Sequence, residues 1–181
     1  MPDLNRLVKP LLTKPCWRVR WDAQLNLDLS FGAPSLSIRE PHVSQHRSPR
    51  VRAQAARRVV TVRAEYWLWI YVAYWKITLA DGRSARLSSS ARAKDIVCAN
   101  LEGEKIQTVE ISPVTGRTCF TFDLGSRLEI RRYAAREDAD MWTLYMPRDL
   151  ALSVRGDGCY RSTRANAREQ KWYRVPSPRA T

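Results

Sequence analysis

Apolar side chains recur at every second position in one segment after another, and each segment ends at a turn bearing glycine or proline. Leu25, Leu27, Leu29 and Phe31 are separated by Asn26, Asp28 and Ser30, and Gly32-Ala33-Pro34 follows. A period of two sends alternate side chains to opposite faces of a strand, so such segments are strands with one buried face. Leu36 and Ile38 restart the alternation after Pro34, which predicts a first hairpin. Trp75, Ile77 and Leu79 run into Asp81-Gly82, a strong two-residue hairpin turn, and Ala85 and Leu87 continue beyond it. Ile106, Val109 and Ile111 precede the turn Pro113-Val114-Thr115-Gly116. Phe120 and Phe122 pair with Leu128 and Ile130 across Asp123-Leu124-Gly125. Trp142, Leu144 and Met146 pair with Leu150, Leu152 and Val154.

Helical signals are few. Ser90 can cap a short helix over 91–99. Ser48 and Pro49 can open a basic one over 49–58, although an arginine-rich loop fits that segment nearly as well. The expected fold is therefore a mainly β domain, an antiparallel sandwich or partly open barrel with one or two short helices. Two stretches repeat the order of hairpin types. LDLSFGAPSLSIRE in the first half matches FTFDLGSRLEIRR in the second, and the Trp75 hairpin matches the Trp142 hairpin. The expected organisation is an N-terminal extension (1–16), one β-rich domain (17–160) and a basic tail (161–181). Within the domain, pseudo-repeats would span about 17–88 and 101–160, with a basic insert at 41–58.

Charge is unevenly placed. The chain of 181 residues has a net charge of +13. Residues 41–63 hold six arginines and no acid, and residues 155–181 hold six arginines and one lysine against two acids. These two segments supply +11 of the +13, whereas 121–154 has five arginines and six acids. Clustering of this kind builds a field that attracts phosphate or an acidic protein. Arg47, Arg50, Arg52, Arg57 and Arg58 form the first group of candidate contacts. Arg161, Arg164, Arg168, Lys171, Trp172, Tyr173 and Arg174 form the second, where aromatics sit between cations. Arginine suits bidentate phosphate contact, and interleaved aromatics suit base stacking. The same features suit docking to a protein, with Trp172 as an anchor, and a solvated basic tail is the plain alternative.

Other chemistry lacks its reagents. His42 and His46 have helical metal-ligand spacing, but no acid or cysteine accompanies them, and two loop imidazoles among arginines hold a cation poorly. Any Ser–His or Cys–His pair would have to use these two histidines. Cys16, Cys98, Cys119 and Cys159 are far apart and read as reduced structural thiols. Glu137, Asp138 and Asp140 read as a solvated loop. No catalytic residue, metal or cofactor is expected. No apolar run is long enough for a transmembrane helix and the first residues lack a signal-peptide pattern, so a cytoplasmic location is expected.

The aromatic run from Tyr66 to Trp75 carries two readings. Trp67, Trp69 and Tyr71 share one face of a strand, and Tyr66, Leu68 and Ile70 the other. Two apolar faces favour a central strand covered on both sides. A stacking platform for bases is the second reading. The repeated tryptophan and glycine hairpins over roughly 66–160 resemble uncharacterised bacterial β-rich families, some of which look like immunity proteins encoded beside toxins. That resemblance implies a small binding or neutralising protein and transfers no catalytic residue. Two expectations stand together. One is a non-catalytic protein that associates with DNA or RNA through its two arginine-rich segments. The other is a protein–protein module (subunit, adaptor or immunity-like neutraliser) in a bacterial defence system.

Overall fold

The chain is a β sandwich with an arm. The computed structural model describes residues 4–24, 26–133, 138–164 and 171–176. The larger sheet has seven strands in the order β1 (Cys16–Trp21), β2 (Leu27–Phe31), β5 (Tyr66–Ile70), β11 (Asp140–Met146), β12 (Leu150–Arg155), β13 (Cys159–Arg164) and β14 (Tyr173–Arg174). The smaller has five, in the order β7 (Ser84–Arg86), β6 (Ala73–Thr78), β10 (Arg127–Arg132), β9 (Thr118–Phe122) and β8 (Ile106–Ile111). All pairings within both sheets are antiparallel.

The inward faces form one core. Leu27, Leu29, Phe31, Leu68, Ile70, Trp142, Leu144, Leu152 and Val154 come from the large sheet, and Trp75, Ile77, Phe120, Phe122, Leu128 and Ile130 from the small one. Burying each such side chain contributes roughly 1.5–3 kcal/mol, so this layer outweighs any surface pairing. Trp142 ties the sheets together. Its ring meets Phe120 edge-on at 5.7 Å, and its Nε1–H donates to the buried Thr118 hydroxyl at 2.9 Å. The edge between β1 and β7 is closed by α3 (Ala91–Leu101), whose Val97, Cys98 and Leu101 are buried. As the sequence indicates, the Ser90 hydroxyl caps this helix, accepting from the Ala93 N–H at 3.3 Å. Lys94 is buried on the same helix with its ammonium 3.9 Å from the Trp21 ring, a cation–π contact that offsets part of its lost hydration.

Four expectations change. First, β2 does not form a hairpin with the strand after Gly32. It pairs with β1 and β5, while β3 (Ser35–Arg39) pairs with β4 (Val59–Arg63) as a separate ribbon. Gly32, at φ +76°, is the pivot. Only glycine adopts this backbone easily, and the Glu65 side chain stands where a β-carbon would go. Second, the first copy of the proposed repeat therefore lacks its hairpin, and the two tryptophan hairpins lie in different sheets. Third, residues 4–16 of the expected N-terminal extension are not an appendage. Leu4 and Val8 of α1 (Leu4–Val8), with Leu11 and Cys16, are buried in the core. Fourth, the tail boundary falls inside β13. The chain returns as β14 because Tyr173 and Val175 have apolar surface to cover, Tyr173 lying 6.0 Å from the Tyr160 ring. Three short α-helices are present among the described residues, and one of them is α2 (Pro49–Ala55) in the basic insert.

Candidate nucleic-acid interface

The outward face of the large sheet follows from its registers. One row across six strands reads Arg20, Asp28, Trp69, Thr143, Ser153, Arg161. The next reads Arg18, Ser30, Trp67, Tyr145, Ala151, Thr163. Arginines thus stand at β1 and β13, and aromatics at the centre. Ser30, Thr143 and Ser153 are small and buried beneath their larger neighbours.

The central rings form a column. Trp67 stacks on Tyr145 at 4.9 Å and on Trp69 at 5.9 Å, and Trp69 stacks on Tyr71 at 4.3 Å. Interplanar angles of 17–27° make these near-parallel stacks. Trp67 is 38% exposed. The reading of this strand as covered on both sides is thereby corrected: Tyr66, Leu68 and Ile70 enter the core, while Trp67, Trp69 and Tyr71 lie on the opposite face, where no second sheet covers them among the described residues. The rings limit their own exposure by stacking on one another.

Polar groups tie the column to β13. The Tyr71 hydroxyl lies 3.1 Å from the Thr143 hydroxyl and donates to Asp140 at 3.3 Å, and Thr143 is 2.9 Å from the Ser153 hydroxyl. Arg161 pairs with Asp140 at 2.8 Å. Burial beside Asp140 pushes the Tyr71 phenol up to about 12, so it stays protonated and donates. Trp172 lies against two guanidinium groups, 4.3 Å from Arg155 and 4.5 Å from Arg161, and Arg155 is also paired with Asp157. Asp28 has its carboxyl raised by burial, a shift opposed by Arg18, the Trp67 side chain and Arg20.

The arm springs from β2 and β5. Both continue, through breaks at Gly32–Pro34 and Ala64–Glu65, into β3 and β4, and α2 crowns the tip. Arg39 holds that crown. Its guanidinium donates to the carbonyls of Gln54, Ala55 and Arg57 at 2.9, 3.3 and 3.4 Å, satisfying the open C-terminal end of the helix. The five arginines of the tip are exposed. Arg58 pairs with Glu40 at 2.8 Å, and Arg52 donates to the carbonyls of His46 and Arg47. Arg47, Arg50 and Arg57 make no ion pair among the described residues. His42 and His46 serve the loop: His42 Nδ1 lies 3.1 Å from the Arg39 guanidinium, and His46 Nδ1 accepts the Ser48 N–H at 3.1 Å.

The two basic segments are therefore separate. Arg47, Arg50, Arg52, Arg57 and Arg58 occupy the arm tip. Arg161, Arg164, Trp172, Tyr173 and Arg174 lie at the far side of the large sheet, three strands from the arm's root at β5, with Lys171 beside them. Tyr173 packs toward the core, and Arg174 donates to the carbonyls of Pro113 and Asp157. Arg168 and Glu137 lie outside the described residues. Sequence reasoning missed Arg18, Arg20, Asp28, Tyr145, Arg155 and Arg39. Alternation in Trp17-Arg18-Val19-Arg20-Trp21 was the available signal for the first two.

One cleft of about 730 Å³ lies over β6, β7 and β10, and two others flank it in size. The larger, about 1130 Å³, runs between α1 and the outer side of β8–β10, where Arg117 and Glu129 pair with each other at 3.0 Å. The other, about 580 Å³, joins the foot of the arm to the aromatic face. The second adjoins the column and the arginine rows, so it belongs to this interface. Among the described residues no helix is long and apolar enough to cross a membrane. No protein-family model, curated protein or solved structure matches the chain.

Proposed function

We propose that the protein binds single-stranded nucleic acid, with bases against the outward aromatic column and phosphates against arginines of the sheet and the arm tip. The observation that carries this reading is the four-ring stack on the outer face of two central strands, β5 and β11, flanked in register by arginines. Tyr145 and Tyr71 each stack on only one ring of the column and Trp67 is partly exposed, so bases meet the column at its ends and its exposed edge. Every base has a π-face, so these contacts tolerate many sequences, and each is worth about 1–3 kcal/mol. Duplex bases are already stacked on each other and do not offer those faces. The arginine-rich arm tip, where Glu40 pairs with Arg58, supplies long-range attraction to either form.

Intrinsic tryptophan fluorescence tests the reading. Oligothymidylate is expected to quench it at low salt and to bind more tightly than a duplex of equal length. Replacing Trp67 and Trp69 by leucine is expected to weaken single-strand binding by at least about tenfold. Equal affinity for duplex and single strand, with no quenching, would refute it.

A protein-docking reading is favoured by one feature. Leu36 opposes Val62 and Ile38 opposes Val60 on a single face of the arm, and all four are about half exposed or more. An apolar strip beside an arginine-rich tip suits an acidic protein partner, as a subunit, adaptor or immunity-like neutraliser would meet. Ile38→Thr with Val60→Thr separates the two readings, because single-strand binding is expected to survive it.

A further inference from the structure

The cleft at the foot of the arm meets the column at its most exposed ring. Trp67 and Tyr145 line it together with Arg18, Asp28, Ser30 and Arg63. A volume of about 580 Å³ lies within the range of small-molecule sites. Its polar groups differ from those of a plain phosphate-binding groove. Asp28 places a half-buried carboxylate there, which would repel phosphate. Beside it, Arg18 Nε is buried and finds no hydrogen-bond partner among the described residues. The Arg18 side chain lines the cleft, so its guanidinium can donate to a ligand there.

A carboxylate next to a guanidinium, beside the exposed edge of the Trp67–Tyr145 stack, is a pattern with one good complement among the bases. Guanine presents two adjacent donors, N1–H and the N2 amino group, and then the O6 acceptor. Asp28 can accept from both donors, and Arg18 can donate to O6. Adenine, cytosine and thymine each present an acceptor where the carboxylate requires a second donor. Unstacked bases of single strands are read on this edge. We propose that the cleft selects guanine: one unstacked guanine of a bound strand lies against Trp67 and Tyr145, its donor edge on Asp28 and its O6 on Arg18, with the adjoining phosphate near Arg63. This rests on the single-strand reading above.

The test compares oligothymidylate with the same oligomer carrying one central deoxyguanosine, titrated into the protein by tryptophan fluorescence. A bidentate base contact is worth about 1–3 kcal/mol, so the deoxyguanosine oligomer is expected to bind about tenfold or more tightly. Asp28→Asn and Arg18→Met are each expected to abolish that preference. Retained oligothymidylate binding would show that the Asp28 variant still folds. Equal binding of both oligomers to the wild type overturns the guanine pocket and leaves the aromatic face standing. So does a preference that survives both substitutions. If neither oligomer binds at low salt, the single-strand reading falls and the pocket with it.

Discussion

Replacing Arg47, Arg50 and Arg57 by alanine should change the salt dependence of binding more than it changes the fold. All three are exposed, and none makes an ion pair among the described residues, so each substitution should move stability by less than about 0.5 kcal/mol. Each arginine that meets a phosphate releases condensed counterions. For single strands the slope of log K against log salt then steepens by about 0.7 per contact. Losing three contacts should flatten the slope by about 2. Between about 50 and 200 mM salt, a fourfold range, the affinity gap between wild type and variant should narrow nearly twentyfold. Fluorescence anisotropy of a labelled oligomer across a salt series measures both slopes. Arg58→Ala is an internal control, since Glu40 already neutralises part of that charge at 2.8 Å, and its effect should be smaller. Parallel slopes for the wild type and the triple variant would show that the tip never touches phosphate, whatever the sheet face does.

Two further outcomes concern the core. Trp142→Phe removes the indole donor to Thr118, whose hydroxyl keeps only its bond to the Gly116 carbonyl, and shrinks a fully buried side chain. A loss of about 1–3 kcal/mol in urea unfolding is expected, and a neutral result would mean that Thr118 finds another partner. Burial pushes the Cys16 and Cys98 thiols from 9.0 up to about 12. The unfolded thiols ionise first as pH rises, so stability from these groups is intact below about pH 9 and declines from there toward pH 12. A urea midpoint that is lower at about pH 10 than at pH 7, by more than in a Cys16→Ser, Cys98→Ser variant, checks the sign. In the native state a thiol reagent should reach Cys119 and Cys159 first.

The strand content was legible because period-two alternation is a local property. The turns at Asp81-Gly82 and Gly125 both form the hairpins their residues imply. Strand partnership is not local, and Gly32-Ala33-Pro34 shows why. A turn signal reports that the chain changes direction, and here it leaves one sheet for a ribbon instead of folding back on β2. The aromatic run shows a second limit. Alternation divided Trp67 and Trp69 from Leu68 and Ile70, but with both faces apolar nothing in the segment says which faces the core. That choice is made by β2 and β11, whose Asp28, Ser30 and Thr143 mark the outward side. In the site, the arginines of the tip were visible as an acid-free cluster. Arg18 and Asp28 were not, because each is a single charge in a strand whose meaning comes from strands distant in sequence.

The arm begins and ends at adjoining positions. Phe31 and Tyr66 face each other in the register of β2 and β5, so everything between them is a closed excursion from two interior strands. Such an excursion is a cassette. A tight Asn-Gly turn grafted between Phe31 and Tyr66 would leave every pairing of both sheets in place. The sandwich can therefore acquire, lengthen or lose its basic tip without renegotiating its core, and the tip is free to diverge at a different pace from the aromatic face of the sheet.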